Sequence, residues 1–370
     1  MKYSFLIFIF VFFLTMIFYT IVRGCQVFAS VGNMKTVYLA VMIVLLVAFF
    51  AGMFLENQLS PGAANILSFI GYSYLVVLCA LFISFLLVDD IRIINHFVPF
   101  IGNMPIFRLR AVVLTLIVVG VMMIIGNYTF NHPKIVHLTI QSSRPLKNKK
   151  IKIIAISDVH LGVSIEKKRL GEYVKMINSQ EPDLVLIAGD LIDRSIKPVI
   201  NQKMDEELRQ INAPLGVYAV SGNHEYYGEG GDAISDFYRK SNIILLRDSA
   251  ALINNEFYVI GHEDKTNSHR KELSDILKNT DPSKPTILLD HQPTHLEDAE
   301  KNNIDLQLSG HTHNGQIFPG NLIVKNIFEL GYGYKQKGNT HYYVSSGLGL
   351  WGPQYRVGSQ SELVVIDFKY

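Results

Sequence analysis

Charge is nearly absent from the first third of this chain. Of its 34 Lys/Arg and 32 Asp/Glu, residues 1–130 hold only Lys2, Arg23, Lys35, Arg92, Arg108 and Arg110 with Glu56, Asp89 and Asp90. A segment so poor in polar surface excludes a soluble domain and leaves the bilayer as its solvent. Cysteine is as scarce. Cys25 and Cys79 are the only two, both in that same third, so no disulfide framework reports an oxidising compartment and no Cys-based zinc site can form beyond it. There is no GxxxxGK[ST] segment, which leaves a P-loop nucleotide site unsupported. Internal repeats and low-complexity tracts are also missing. The net charge of +2 is small and residues 131–370 are close to neutral, so nothing in bulk charge argues for binding nucleic acid.

What the first third does contain is four apolar stretches, at 4–22, 37–55, 66–88 and 111–129. Each has about the 20 residues that a spanning helix needs, with no Asp, Glu, Lys or Arg inside. The first lacks a small-residue cleavage site and is followed by three more, so it reads as a retained span. Residues 1–130 are therefore expected to form an all-α transmembrane region of four helices, and 131–370 a separate domain. With four spans, loops 23–36 and 89–110 share one side and carry most of the basic residues. The positive-inside rule then favours an extracytoplasmic position for the second domain. A transporter or channel would be expected to place charges inside the spans, and none is there.

The second domain opens with alternating Ile135-Val136-His137-Leu138-Thr139-Ile140, an edge strand by its period, and a basic patch of Lys147, Lys149 and Lys150. Strands at 151–157, 184–188 and 216–220 alternate with helices near 165–179, 201–211 and 231–240, the pattern of a layered α/β domain. After Ser241 short β-rich segments dominate, at 243–246, 250–253, 257–260, 286–289, 305–308, 341–345 and 363–368, with one helix near 269–278. A second sheet facing the first fits this better than one long parallel sheet.

The chemistry collects where strands run out. IKIIAISDVHLG ends with Asp158 and His160, and Asp190, Asn223-His224, His291 and His311-Thr312-His313 mark four more endings. Extended geometry at i and i+2 would point Asp158 and His160 the same way, and His311 and His313 repeat that spacing. One Asp-x-His is a weak signal. Five endings with carboxylate, carboxamide or imidazole donors are hard to explain as packing, because such groups are costly to bury unless paired or bound to metal. Without thiolates the set suits Mn, Fe, Zn, Ni or Co. Seven donors exceed what one ion takes at these spacings, so two ions sharing a carboxylate are expected.

In order, the blocks SDVHLG, AGDLID, SGNHEYY, DHQP, SGHTHNGQ and SSGLGLWGPQYR resemble the calcineurin-like metallophosphoesterases, and more closely their membrane-associated bacterial branch. The resemblance covers about residues 135–370. It implies a four-layer α/β sandwich of two facing mixed sheets flanked by helices, with a dimetal site at the strand ends. One ion would take Asp158, His160, Asp190 and His313, and the other Asp190, Asn223, His291 and His311. His224 would face the substrate phosphate as a general acid or transition-state stabiliser. Two departures, Ser346 where the branch often has Arg and Ser361 before Glu362, fall on neither ligand set.

The implied activity is hydrolysis of a phosphodiester or pyrophosphate by a water that two divalent ions activate. Four spans would bring the site to lipid headgroups, making a lipid-linked phosphoester a candidate substrate. Tyr226, Tyr227, Phe318, Phe328, Tyr332, Tyr334, Trp351 and Tyr355 could line an apolar approach. Relatives in the branch include UDP-2,3-diacylglucosamine hydrolases, whose substrate would need a cytoplasmic-facing domain. The reading of another class is a transport or interaction protein with a non-catalytic metal-binding domain, which would be expected to have lost ligands or His224. The expected setting is a bacterial inner membrane.

Overall fold

The computed structural model describes every residue except 1, 30, 56–57, 147–149 and 229–230, and not the side chains of 2–6. Lys147 and Lys149 of the basic patch thus lie outside the described residues. The chain forms two compact units, Met1–Ile125 and Gly126–Tyr370.

Four helices make up the first unit: α1 (Lys2–Phe28), α2 (Met34–Leu55), α3 (Pro61–Phe97) and α4 (Met104–Asn131), whose last residues belong to the second unit. All four are long and apolar enough to cross a membrane. Most of their Leu, Ile, Val and Phe side chains are exposed, as lipid-facing residues should be. α3 has 37 residues, about 55 Å, and overshoots a hydrocarbon core of about 30 Å. Its overshoot carries Asp89, whose carboxylate pairs with Arg23 of α1 and accepts a 2.7 Å hydrogen bond from the Tyr19 hydroxyl. These charges thus neutralise one another beyond the apolar runs.

In the second unit, chain order is β1 (Lys134–Gln141), β2 (Lys150–Ile156), α5 (Lys167–Asn178), β3 (Leu184–Ala188), α6 (Lys197–Asn201), α7 (Asp205–Leu208), β4 (Val217–Val220), α8 (Asn223–Tyr227) and α9 (Gly231–Lys240). Then come β5 (Ile244–Leu245), β6 (Ser249–Ile253), β7 (Phe257–Gly261), α10 (Leu273–Leu277), β8 (Thr286–Leu289), α11 (Leu296–Lys301), β9 (Leu306–Ser309), α12 (Gly320–Ile327), β10 (Gly333–Lys337), β11 (Thr340–Val344) and β12 (Glu362–Lys369). One sheet has the order β1-β12-β2-β3-β4-β5 and the other β10-β11-β9-β8-β7-β6, each with parallel and antiparallel pairs.

The layers follow from the two-residue period of the strands. Ile153, Leu184 and Leu186 turn inward and meet Val259, Ile287 and Leu306 of the other sheet. Their neighbours Ile154, Ile156, Val185 and Ile187 turn outward onto Leu170, Val174 and Phe237 of α5 and α9. On the far side Ile260 and Leu288 pack with Ile276 and Leu296 of α10 and α11. Both sheets are covered on both faces, which is why β3 and the second half of β2 read as unbroken apolar runs. The result is an α/β sandwich, helix–sheet–sheet–helix, preceded by four apolar helices.

The fold departs from the sequence reading in places. The helix near 201–211 is two short helices, α6 and α7, and the one near 269–278 shortens to α10. α8, α11, α12 and β10 carry no period long enough to be read.

Candidate metal centre

Each chemical block follows the carboxyl end of a strand. β2, β3 and β4 of one sheet run into Asp158/His160, Asp190 and Asn223/His224; β8 and β9 of the other run into His291 and His311/His313. In α/β sheets this is where ligands gather, because the loops there converge while the strands hold their bases rigid.

The backbone does not continue extended through these residues, as the i, i+2 reading expected. Asp158, His160, Asp190, His311 and His313 all have positive φ, at 51°, 52°, 51°, 71° and 50°. Sharp left-handed turns aim the side chains at one point, and Asp and His tolerate that region better than bulkier residues. Backbone bonds fix the turns: Asp158 N donates to Gly189 O (3.0 Å), His160 N to Asp190 O (3.0 Å) and His311 N to Asp158 Oδ1 (3.0 Å). Gly222 and Gly310 give the room, since a Cβ on either would collide with the carboxylate of Asp190 or Asp158.

The structure brings all eight sequence-selected residues together, seven of them in two overlapping groups and His224 beside His160 and Asp190. In one, His160 Nε2 lies 3.1 Å from His313 Nε2, and Asp158 Oδ1 is 3.4 Å from that nitrogen. In the other, His291 Nε2 lies 3.2 Å from both Asp190 Oδ2 and Asn223 Oδ1, and Asn223 Oδ1 is 2.7 Å from His311 Nδ1. Asp190 Oδ2 joins them, at 3.7 Å from His160 Nε2. Asp158 with His160 and His313, and Asp190 with His291 and His311, each present ligand atoms that could hold an ion.

The donor set fits a pair of divalent cations. Two imidazole nitrogens at hydrogen-bond distance beside a carboxylate suit a shared cation better than a shared proton. His160 is fully buried, yet its Nδ1 has no hydrogen-bond partner. His291 Nδ1 lies 2.8 Å from Ala188 O; the network thus assigns the proton to Nδ1 and leaves the Nε2 lone pair facing Asp190 and Asn223. The electrostatics agree for three of the four histidines; at His291 burial opposes a proton, but the Asp190 charge outweighs it and raises the ring well above the usual histidine range, so a cation would have to displace that proton. Burial pushes the Asp190 carboxyl up, but His291 and His160 outweigh it and hold Asp190 below the usual carboxylate range. Burial also holds His160, His311 and His313 below the usual histidine range, which keeps them neutral and able to ligate.

His224 differs. Its Nδ1 is 2.8 Å from Asp193 Oδ1. Burial lowers its affinity for a proton, but that bond and the charges of Asp190, Asp193 and Glu225 raise it further. An imidazole whose proton affinity is raised in this way can donate a proton.

Three residues were missed by sequence reasoning. Asp193 orients His224 from three positions beyond Asp190, inside the AGDLID block. Glu225 is buried, accepting from Gly222 N (2.8 Å) and Ile192 N (2.9 Å); burial and the Asp190 charge push its carboxyl up to about 7. Arg356, in WGPQYR, is fully buried; it donates to Ser346 O (2.7 Å) and Gly349 O (2.6 Å) and to His313 O (3.3 Å), and burial pushes it down to about 10. Only the charged residue each carries inside or at the end of its block could have signalled them.

Of the aromatics considered for an apolar approach, Tyr227 and Trp351 flank His224, at 5.6 and 6.0 Å between ring centres, and Phe328 flanks His311 at 6.3 Å. Tyr355 is buried, while the hydroxyls of Tyr332 and Tyr334 bond Glu362 and His341.

Among known families, calcineurin-like phosphoesterase matches residues 151–315. An uncharacterized metallophosphoesterase of Aquifex aeolicus is 36% identical over 241 residues, covering 62% of this chain and 90% of that protein. One of Helicobacter pylori is 37% identical over 225 residues, covering 59% of this chain but only 60% of the relative's length. A Danio rerio protein named "Transmembrane protein with metallophosphoesterase domain" is 30% identical over 278 residues, covering 70% of this chain and 63% of its own.

Proposed function

Because the chain belongs to the calcineurin-like phosphoesterase family, we propose that this multi-pass membrane hydrolase cleaves a phosphodiester or pyrophosphate bond in a lipid-linked substrate. Asp158, His160, Asp190 and His313 would hold one divalent ion, and Asp190, Asn223, His291 and His311 the other, with Mn the favoured metal in vitro. Such a pair, when bound, activates water and takes up charge on the phosphoryl oxygens. The chain's own groups do the rest. Asp190 keeps the two sets of ligands at a fixed separation. Asp193 holds the His224 ring by its Nδ1, leaving Nε2 free to give a proton to the departing oxygen. Trp351 and Tyr227 limit water around that proton.

The observation that carries this reading is the position of Asp190 Oδ2, 3.2 Å from His291 and 3.7 Å from His160. A carboxylate touching both groups is what a shared ligand requires. Support for a lipid-linked substrate is the four apolar helices, which keep the site at a bilayer, and the basic residues in loops 23–36 and 89–110 favour its extracytoplasmic side.

The test is detergent-purified full-length protein with Mn²⁺, assayed on an aryl phosphodiester, nucleotide-linked lipids and isoprenoid pyrophosphates, with products resolved by mass spectrometry. Turnover of a lipid-linked phosphate that the Asp190→Asn variant lacks is expected. A protein that takes up two metals and turns over none of these would overturn the proposal.

A further inference from the structure

Among the described residues, one apolar surface of the second unit has no partner within it. α12 reads GNLIVKNI and buries none of its residues; Leu322, Ile323 and Ile327 are 50%, 57% and 68% exposed, and Phe318 just before it is 52% exposed. Its one charge is Lys325, also exposed. A short helix with bulky aliphatics in water is unfavourable, and contiguous patches of this kind mark a surface that something covers.

The end of α4 says what covers it. Gly126 is buried in the second unit, where its carbonyl accepts from Arg356 N (2.9 Å) and its Cα lies against Val357; Asn127 Nδ2 donates to Gln354 O (3.1 Å). Val357 O in turn accepts from Phe318 N (2.7 Å), and Gly358 lies against Phe318. A short path therefore runs from α4 through residues 354–358 to Phe318 and α12.

Its depth follows from helix geometry. The apolar run of α4 starts after Arg110. At about 1.5 Å per residue, Gly126 lies roughly 24 Å along a hydrocarbon core of about 30 Å. The residues packed on Gly126 are thus about 6 Å inside the boundary, within the roughly 5–10 Å that interfacial helices reach. The exposed Tyr128 lies one residue beyond Asn127, at the level where aromatic belts form.

We propose that α12, with Phe318, is an interfacial helix seated in the lipid leaflet from which α4 emerges, its Leu322, Ile323 and Ile327 buried among acyl chains and Lys325 among headgroups. This rests on the phosphoesterase reading only for what happens once a lipid arrives. Phe328, which ends α12, flanks His311, and Trp351, whose carbonyl accepts from Gln316 (2.8 Å), flanks His224. The metal centre thereby opens at headgroup level, and a phosphate there reaches it without its lipid leaving the bilayer.

Trp351 is the only tryptophan in the chain, so the wild-type protein carries its own reporter. Full-length protein in phosphatidylcholine/phosphatidylglycerol vesicles is compared with vesicles whose acyl chains are brominated near the headgroup. Ile323→Trp in a Trp351→Phe background reports on α12 itself. Blue-shifted emission from both, with roughly half or more lost to brominated lipid and little to acrylamide, is expected of indoles at interfacial depth. Acrylamide quenching of the Ile323→Trp reporter without bromolipid quenching overturns the proposal. Shielding from both quenchers also overturns it, because protein, such as a second copy, then covers the face. Hydrolysis of an aryl phosphodiester by the wild-type protein in the same vesicles separates the two readings: activity without lipid quenching sinks the interfacial helix alone, and quenching without activity sinks the proposed chemistry alone.

Discussion

Replacing Asp193 by Asn tests how His224 works, since it removes one charge and keeps the shape. In the wild type the carboxylate sits 2.8 Å from His224 Nδ1 and holds the ring's proton affinity above the ordinary value. A charge contact at about 4 Å carries about 4 kcal/mol at an effective dielectric of about 20. Asp193 is 27% exposed, so water takes part of that away. A loss of about 1.4–2.7 kcal/mol remains, or about 10–100-fold in kcat, the range typical of a group that orients another. The pH profile carries the sharper signature. His224 must be protonated to act as the acid, and Asp193 favours that form. In Asp193→Asn the imidazolium therefore loses its proton at lower pH, and the alkaline limb of kcat moves toward acid. The assay is kcat against pH on an aryl phosphodiester, with metal content measured on the same samples. An unmoved alkaline limb would refute the reasoning. Metal loss in step with activity would also do so, making Asp193 part of the metal scaffold instead.

Four further outcomes are expected. His224→Ala should retain both metals and lower kcat by roughly 10²–10⁴, less for substrates with activated leaving groups that need little protonation; kinetics on paired leaving groups decide. Asp190→Asn should lose most of both ions, because it removes the charge that the two sites share; elemental analysis reads this, and two ions at full occupancy would count against the assignment. Phe130→Ala removes a ring that is 3% exposed and belongs to the core of the second unit, with the Arg169 guanidinium over it, so a loss of about 3–5 kcal/mol is expected by thermal melting in detergent. In intact spheroplasts an impermeant protease should cleave residues 131–370; protection until lysis would reverse the orientation and bring a nucleotide-linked lipid precursor forward as substrate.

The residues of the candidate metal centre stand out in the sequence because their types are so expensive to bury. Asp158, Asp190 and the Asp290-His291 pair each follow an apolar strand at its end, so their positions show in the sequence. The way they converge does not show. The left-handed turns at Asp158 and His160 depend on Gly189 and Asp190 of a neighbouring strand, and no local pattern encodes a partner some thirty residues away. Asp193 and Arg356 were hidden for the same reason: each sits in a loop without periodicity and matters only through a contact made by folding. α12 failed differently. It buries no stripe, so the usual sign of a helix, one apolar face against a core, is absent from GNLIVKNI. The end of α4 was hidden by its own composition, since Gly126 and Phe130 look like membrane residues while packing in the second unit.

The five left-handed residues carry a cost of their own. Each adopts a backbone conformation that an L-residue enters at about 1–3 kcal/mol, and side chains that repel or crowd one another add to it. Glycine at any of these positions would relax the turn, so the metal-free protein should gain stability from changes that dismantle its centre. A thermostability screen run without metal would climb toward inert proteins, and the same screen run with Mn²⁺ would not.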